Sequence, residues 1–123
     1  MSQRIAIKKG KNFVHSNVYG PISLDLLAEL MGKTAEKADK WNFTRFLVDF
    51  RKAKKEMSIV DDYNIAHIKA KEFGLKSGSS KHALIVRKED FNDFLFVETV
   101  FQNAGYILKI FTEENTAFNW LSE

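Results

Sequence analysis

The sequence predicts an α/β fold with a mostly parallel central sheet and an antiparallel strand at its N-terminal edge. Three observations predict it. Short extended apolar runs alternate with helix-length stretches whose apolar positions recur at steps of three and four. The run Arg45-Phe-Leu-Val-Asp-Phe50 is apolar at successive positions, the pattern of a central strand covered on both faces. The first two extended runs are separated only by Gly10-Lys-Asn12, a link short enough to favour an antiparallel hairpin. The expected order is β-β-α-β-α-β-α-β-α in one domain, residues 1–123.

Each element has its own warrant. Arg4-Ile-Ala-Ile-Lys8 alternates, with Ile5 and Ile7 on one face, and Phe13–Tyr19 forms the second strand, which Gly20-Pro21 is expected to end. Ser23 stands where an N-cap belongs, ahead of a helix whose stripe reads Leu24, Leu27, Met31, Ala35 and Ala38 and which closes at Trp41-Asn42. After the central strand, a second helix starts near Ser58, with Ile59, Tyr63, Ala66, Ala70 and Phe73 on one side and Gly74 as its stop. His82–Arg87 is a strand. Asp90 precedes a very apolar helix that runs through Ala104 to Gly105. Tyr106–Phe111 is the last strand, and Glu113-Glu114 open a short final helix with Ala117, Phe118, Trp120 and Leu121, in which Trp120 is expected to be the anchor. Three successive β-α-β crossovers imply parallel neighbours joined in the right-handed sense.

Composition narrows the functions. With 123 residues and 45% apolar content, the chain can bury one core. It has no cysteine, which removes thiolate chemistry and fits a cytoplasmic location. No apolar run approaches the ~18–20 residues of a membrane span, and the N-terminus lacks the pattern of a secretory signal. Net charge is +3, but residues 1–88 carry +9 and residues 89–123 carry −6. No dense basic block exists beyond Arg51-Lys52-Ala53-Lys54-Lys55, so nucleic acid is not an expected partner.

Taken together, three stretches resemble the STAS family of SpoIIAA-like anti-sigma-factor antagonists, and most nearly its small uncharacterised bacterial members. They are Tyr19-Gly-Pro-Ile-Ser23, Phe46-Leu-Val-Asp-Phe-Arg51, and Ile110-Phe-Thr-Glu-Glu-Asn-Thr-Ala-Phe-Asn-Trp-Leu121 with its F-x5-A-x2-WL spacing. The resemblance covers nearly the whole chain. It implies a SpoIIAA-like fold, related to the SEC14/CRAL-TRIO lipid-binding fold, and a non-enzymatic regulatory module working through protein contacts. It also implies a phosphorylated serine just before the second helix. The matching place holds Ser58, without the acidic residue before it or the glycine after it. Ser58-Ile-Val-Asp61 has the form of a capping box, so a helix cap is the competing reading.

Few residues invite chemistry. Asp49 and Arg51 share a face near the carboxyl end of a central strand, where open α/β sheets bind ligands. Arg51 could contact an anion or a partner with Asp49 steadying it, or Asp49 could simply tie down nearby backbone. His15, His67 and His82 have no metal-ligand spacing, so neither a metal nor another cofactor is expected. Apolar residues off the helical stripes, Ile65 with Ile68 and Phe96 with Val100, suggest a homodimer or partner interface. A carrier or sensor of a small apolar or anionic ligand is the alternative reading. An enzyme using Asp49, Arg51 and a histidine is the third.

Overall fold

Strand β1 (Ile5–Lys9) pairs antiparallel with β2 (Val14–Ile22), and helix α1 (Leu24–Trp41) leads to β3 (Arg45–Lys55). Strand β4 (Lys81–Ile85) is followed by a 3-10 turn (Lys88–Asp90), α2 (Phe91–Asn103), β5 (Ile107–Phe111) and α3 (Glu114–Ser122). The computed structural model describes residues 4–56, 61, 64, 67 and 80–123. The strands lie in the order β1-β2-β3-β4-β5, parallel from β2 onward. This is the expected α/β architecture. Of the expected second helix, Asp61, Asn64 and His67 are described and are helical, while Ser58, Ile65 and Ile68 lie outside the described residues.

Alternation along the strands sorts the core into two faces. Val14, Val18, Phe46, Val48, Phe50, Leu84, Leu108 and Ile110 join α1 and α2 in the larger cluster, on the front. Leu47, Ala83 and Ile85 point to the back, where they meet Ala117 and Leu121 of α3. Helix α3 packs chiefly over β4 and β5, and it reaches the β2–β3 side of the back face through Leu121 beside Leu47 and through Phe118 beside Phe13 and His15.

Local chemistry sets the helix ends. The Ser23 hydroxyl accepts from the Leu26 N–H at 3.2 Å, satisfying a donor the first turn leaves free. Asn42 takes a left-handed conformation (φ 60°) and stops α1. Gly105 (φ 95°) stops α2. Asp90 sits at the start of α2, but its carboxylate accepts from Arg87 Nε at 2.8 Å instead of capping the helix.

Several expectations are corrected. Gly20-Pro21 does not end β2, which continues to Ile22 against the far end of β3. At that height β1 has already stopped, so β2 is an edge there, the setting in which a strand proline fits. Gly20 (φ 79°) supplies a backbone shape that a side chain would resist. The fully buried face of α1 is Leu26, Leu30, Met31, Thr34 and Ala38, so of the expected stripe Met31 and Ala38 lie in the core while Leu24 and Leu27 pack only partly buried at its edge. Val100 is buried in the front core and therefore lines no outward interface, whereas Phe96 is exposed beside Leu95. Trp120 is half-buried, and the fully buried anchors of α3 are Ala117 and Leu121.

Candidate functional site

The polar cleft on the back face, beside the start of α3, begins with an irregularity in β3. Between Asn17 and Tyr19, β2 advances two residues while β3 advances three, from Asp49 to Lys52. The extra residue is a β-bulge, and it resets the alternation. Phe50 and Ala53 both enter the front core, so the two residues between them, Arg51 and Lys52, are both presented at the back. The bulge also takes Arg51 out of the ladder, and its free N–H donates to Asp49 Oδ1 at 2.9 Å.

The same carboxylate receives the Arg51 side chain as a two-pronged fork. Nε lies 3.0 Å from Oδ1, and Nη2 lies 2.6 Å from Oδ2. Burial alone would raise the Asp49 pKa, but the Arg51 hydrogen bonds and charge outweigh it and hold the carboxyl below its ordinary value. Asp49 is therefore a weak proton acceptor. Glu114, in the first turn of α3, approaches Arg51 Nη2 at 3.8 Å.

Register brings in the rest. Lys8 stands opposite His15 across the β1–β2 ladder, and Asn17 stands opposite Asp49 across β2–β3. His15 is only 8% exposed and lies against Phe13 and Phe118, at 5.9 and 6.5 Å between ring centroids. Burial, reinforced by the Lys8 charge, lowers its pKa despite Glu114 and Asp49, so the ring is neutral near pH 7. The resulting cleft has a volume of about 260 Å³ and is edged by Tyr19, Lys52 and Glu114.

A second, apolar cavity of about 80 Å³ lies on the front face among Leu30, Met31, Phe46, Phe50, Phe94 and Phe101. Thr34 and His82 are polar members of its wall. The Thr34 hydroxyl donates to Leu30 O at 2.8 Å. His82 is stacked on Phe46 at 4.8 Å and touched edge-on by Tyr106, and its Nε2 has no hydrogen-bond partner among the described residues. Burial lowers the His82 pKa to about 4.

The structure thus unites Asp49 and Arg51, as expected, but the histidine beside them is His15. His82 belongs to the opposite face. Sequence reasoning missed Lys8, His15, Lys52 and Glu114 as neighbours. The hairpin pattern held a signal for Lys8 and His15, while nothing in the sequence marked the bulge that turns Lys52 inward. Among the described residues, no three His, Asp or Glu side chains converge in a way that could hold a metal ion.

No protein-family model matches the chain, and no curated protein matches it. Solved structures do. An anti-sigma factor antagonist from Mycobacterium paratuberculosis superposes with a TM-score of 0.63 at 9% identity, over 97% of this chain and 93% of that one. An uncharacterized protein of the DUF3478 family with a SpoIIAA-like fold, from Shewanella loihica, superposes with a TM-score of 0.58 at 19% identity, over 98% of each chain. At such identities the likeness establishes the fold, and the fold is SpoIIAA-like.

Proposed function

We propose that this chain is a non-enzymatic regulatory module that acts through protein contacts in the cytoplasm. The observation that carries the reading is the adjacent pair Leu95 and Phe96 on α2, 40% and 36% exposed although both are large and apolar. Exposed apolar neighbours of this kind favour a partner surface. Two further points support it. The anti-sigma factor antagonist shares the fold, and Asp49, the carboxylate best placed for chemistry, is occupied by Arg51. A second copy of the chain is the simplest partner, since twofold dimers are the commonest assemblies of small soluble chains. Native mass spectrometry of the protein from its own host, with sedimentation of Leu95→Lys and Phe96→Lys variants, tests it. The expected result is an assembly in the parent that both variants lose while staying folded. A parent that stays monomeric and partner-free at high concentration overturns it.

A second reading, carriage or sensing of a small apolar ligand, is favoured by the front cavity with its unpartnered His82 nitrogen. Its volume of about 80 Å³ is smaller than the ~150 Å³ of engineered apolar cavities that take up benzene, which limits the ligand to a few heavy atoms. Titration with isobutanol, followed through the His82 ring signals, tests this reading. A saturable shift supports it, and signals that do not move sink it.

A further inference from the structure

The cleft on the back face has an unbalanced set of charges. Three cations, Lys8, Arg51 and Lys52, face two carboxylates, Asp49 and Glu114. Both carboxylates are turned toward Arg51, one through the two-pronged fork and the other at 3.8 Å. Neither Lys8 nor Lys52 has a carboxylate partner among the described residues. The Lys52 ammonium lies over the Tyr19 ring, 5.9 Å from its centroid. Among the described residues, two positive charges in one concave site are thus left without a counter-ion.

The architecture keeps them there. Lys8 is fixed by the β1–β2 register opposite His15, and Lys52 is turned to this face by the bulge. Bulges of this type commonly re-aim a side chain beside a functional site. His15 stands opposite Lys8, and Lys52 stands opposite Tyr19, four residues further along β2. The His15 ring is more than nine-tenths buried and forms no hydrogen bond among the described residues, yet it lines the cleft. A neutral imidazole there offers one N–H donor. Asn17 adds amide donors, and Tyr19 adds a hydroxyl. The lining is therefore rich in donors around two unmatched cations, which is the complement of a compact, doubly charged oxyanion.

We infer that this cleft binds a phosphate group, as free phosphate or as a small phosphate monoester, held by Lys8 and Lys52 and oriented by His15. The closed Asp49–Arg51 pair forms one wall of the site and excludes ligands that need a free carboxylate partner. The volume of about 260 Å³ lies just under the range of typical small-molecule sites, about 300–1,000 Å³, and so favours a small ester over a nucleotide. The inference is independent of the protein-contact reading, because Leu95 and Phe96 belong to the helix on the opposite face of the sheet.

The test is a nuclear magnetic resonance titration of the full chain with inorganic phosphate and, separately, with O-phosphoserine. Sodium chloride at matched ionic strength serves as reference. The expected result is a saturable shift of the His15 ring and Asn17 signals with at least one phosphate probe and none with chloride. Lys8→Gln/Lys52→Gln should weaken that binding about tenfold or more, since two charge-assisted contacts are lost. Lys109→Gln, on β5, should leave it unchanged. The single variant Lys52→Gln, at an exposed position, provides a folded control if the double variant does not fold. Saturation with phosphoserine alone supports the ester as ligand. Shifts that chloride reproduces, that never saturate, or that persist unchanged in the folded lysine variants overturn the inference.

Discussion

The two faces of this sheet are built from the same five strands and solve different problems. The front face is covered by α1 and α2, and its inward positions are almost all aliphatic or aromatic. On the back face α3 packs chiefly over β4 and β5, and the polar residues His15, Asp49, Arg51 and Lys52 lie beside it. The front provides most of the burial that holds the fold. The back gives up burial and gains a concave polar surface, stabilised by pairing and hydrogen bonds. The lesson is that polar residues at the rim of a helix-covered sheet face can build a site at little cost to the core.

The sharpest way to break the comparison is to damage the front. Phe50 is 4% exposed and stacked on Phe94 at 5.4 Å between centroids. Phe50→Ala should cost about 3–5 kcal/mol, through lost burial and the cavity left behind. Urea unfolding at pH 7 measures it. A loss below about 1 kcal/mol would mean that the front face is not the main source of stability.

The front also hides a titrating group. His82 has a folded pKa of about 4 against an ordinary 6.5, because burial disfavours the charged ring. Its neutral form is retained in the folded state while the unfolded chain protonates near 6.5. Full stability is therefore present above pH 6.5 and declines as pH falls toward 4, where the unfolded chain binds the extra proton. Roughly 3 kcal/mol should be lost across that window. His82→Leu should flatten this part of the stability–pH curve. A parent curve that is already flat between pH 6.5 and 4 would show that His82 is reached by solvent.

On the back face the acid dependence should appear elsewhere. Asp49 has a folded pKa below its ordinary 3.8, so its contribution is present above that value and is lost as pH falls through the lower folded one. Asp49→Asn leaves the Arg51 fork without its anion. Because the Arg51 side chain is 41% exposed, solvent recovers part of the loss, and about 2 kcal/mol at pH 7 is expected. The deficit should vanish in strong acid, where the parent carboxyl is protonated too. A deficit that is independent of pH would assign Asp49 a packing role instead of an ionic one.

How much of this was legible depends on the residue. The strands and their order followed from alternation and from the apolar run at Phe46–Phe50. The core face of α1 did not, because the doublets Leu26-Leu27 and Leu30-Met31 offer two overlapping stripes and only packing chooses between them. Asp49 and Arg51 were readable as a pair, since two residues apart on a strand means one face. Lys52 was not, because the bulge that turns it is a matter of tertiary register. The extension of β2 through Pro21 was hidden for a related reason. A proline ends a central strand but is tolerated on an edge, and the sequence does not state where β1 stops.

Trp120 gives the smallest effect and the finest comparison. Its spacing with Ala117 and Leu121 suggested the anchor of α3, and size alone would make it the costliest residue to remove. The structure places it at the rim. Ala117 and Leu121 are 0% and 1% exposed against Leu47, Ala83 and Ile85, while Trp120 is half-buried. Its ring meets Phe111 at 5.7 Å and lies under the Lys81 ammonium at 4.4 Å. The same ammonium donates to the Trp120 carbonyl at 2.5 Å, a bond that a Trp120→Ala change leaves in place. What is lost is part of one aromatic contact and one partly solvated cation–π contact, about 1 kcal/mol together. Leu121→Ala should cost more, about 2–5 kcal/mol, because it opens a cavity that the strands cannot fill. Urea unfolding of the two variants side by side measures the ratio. If Trp120→Ala costs as much as Leu121→Ala, the rim and not the buried seam holds α3, and the back face is braced from its edge.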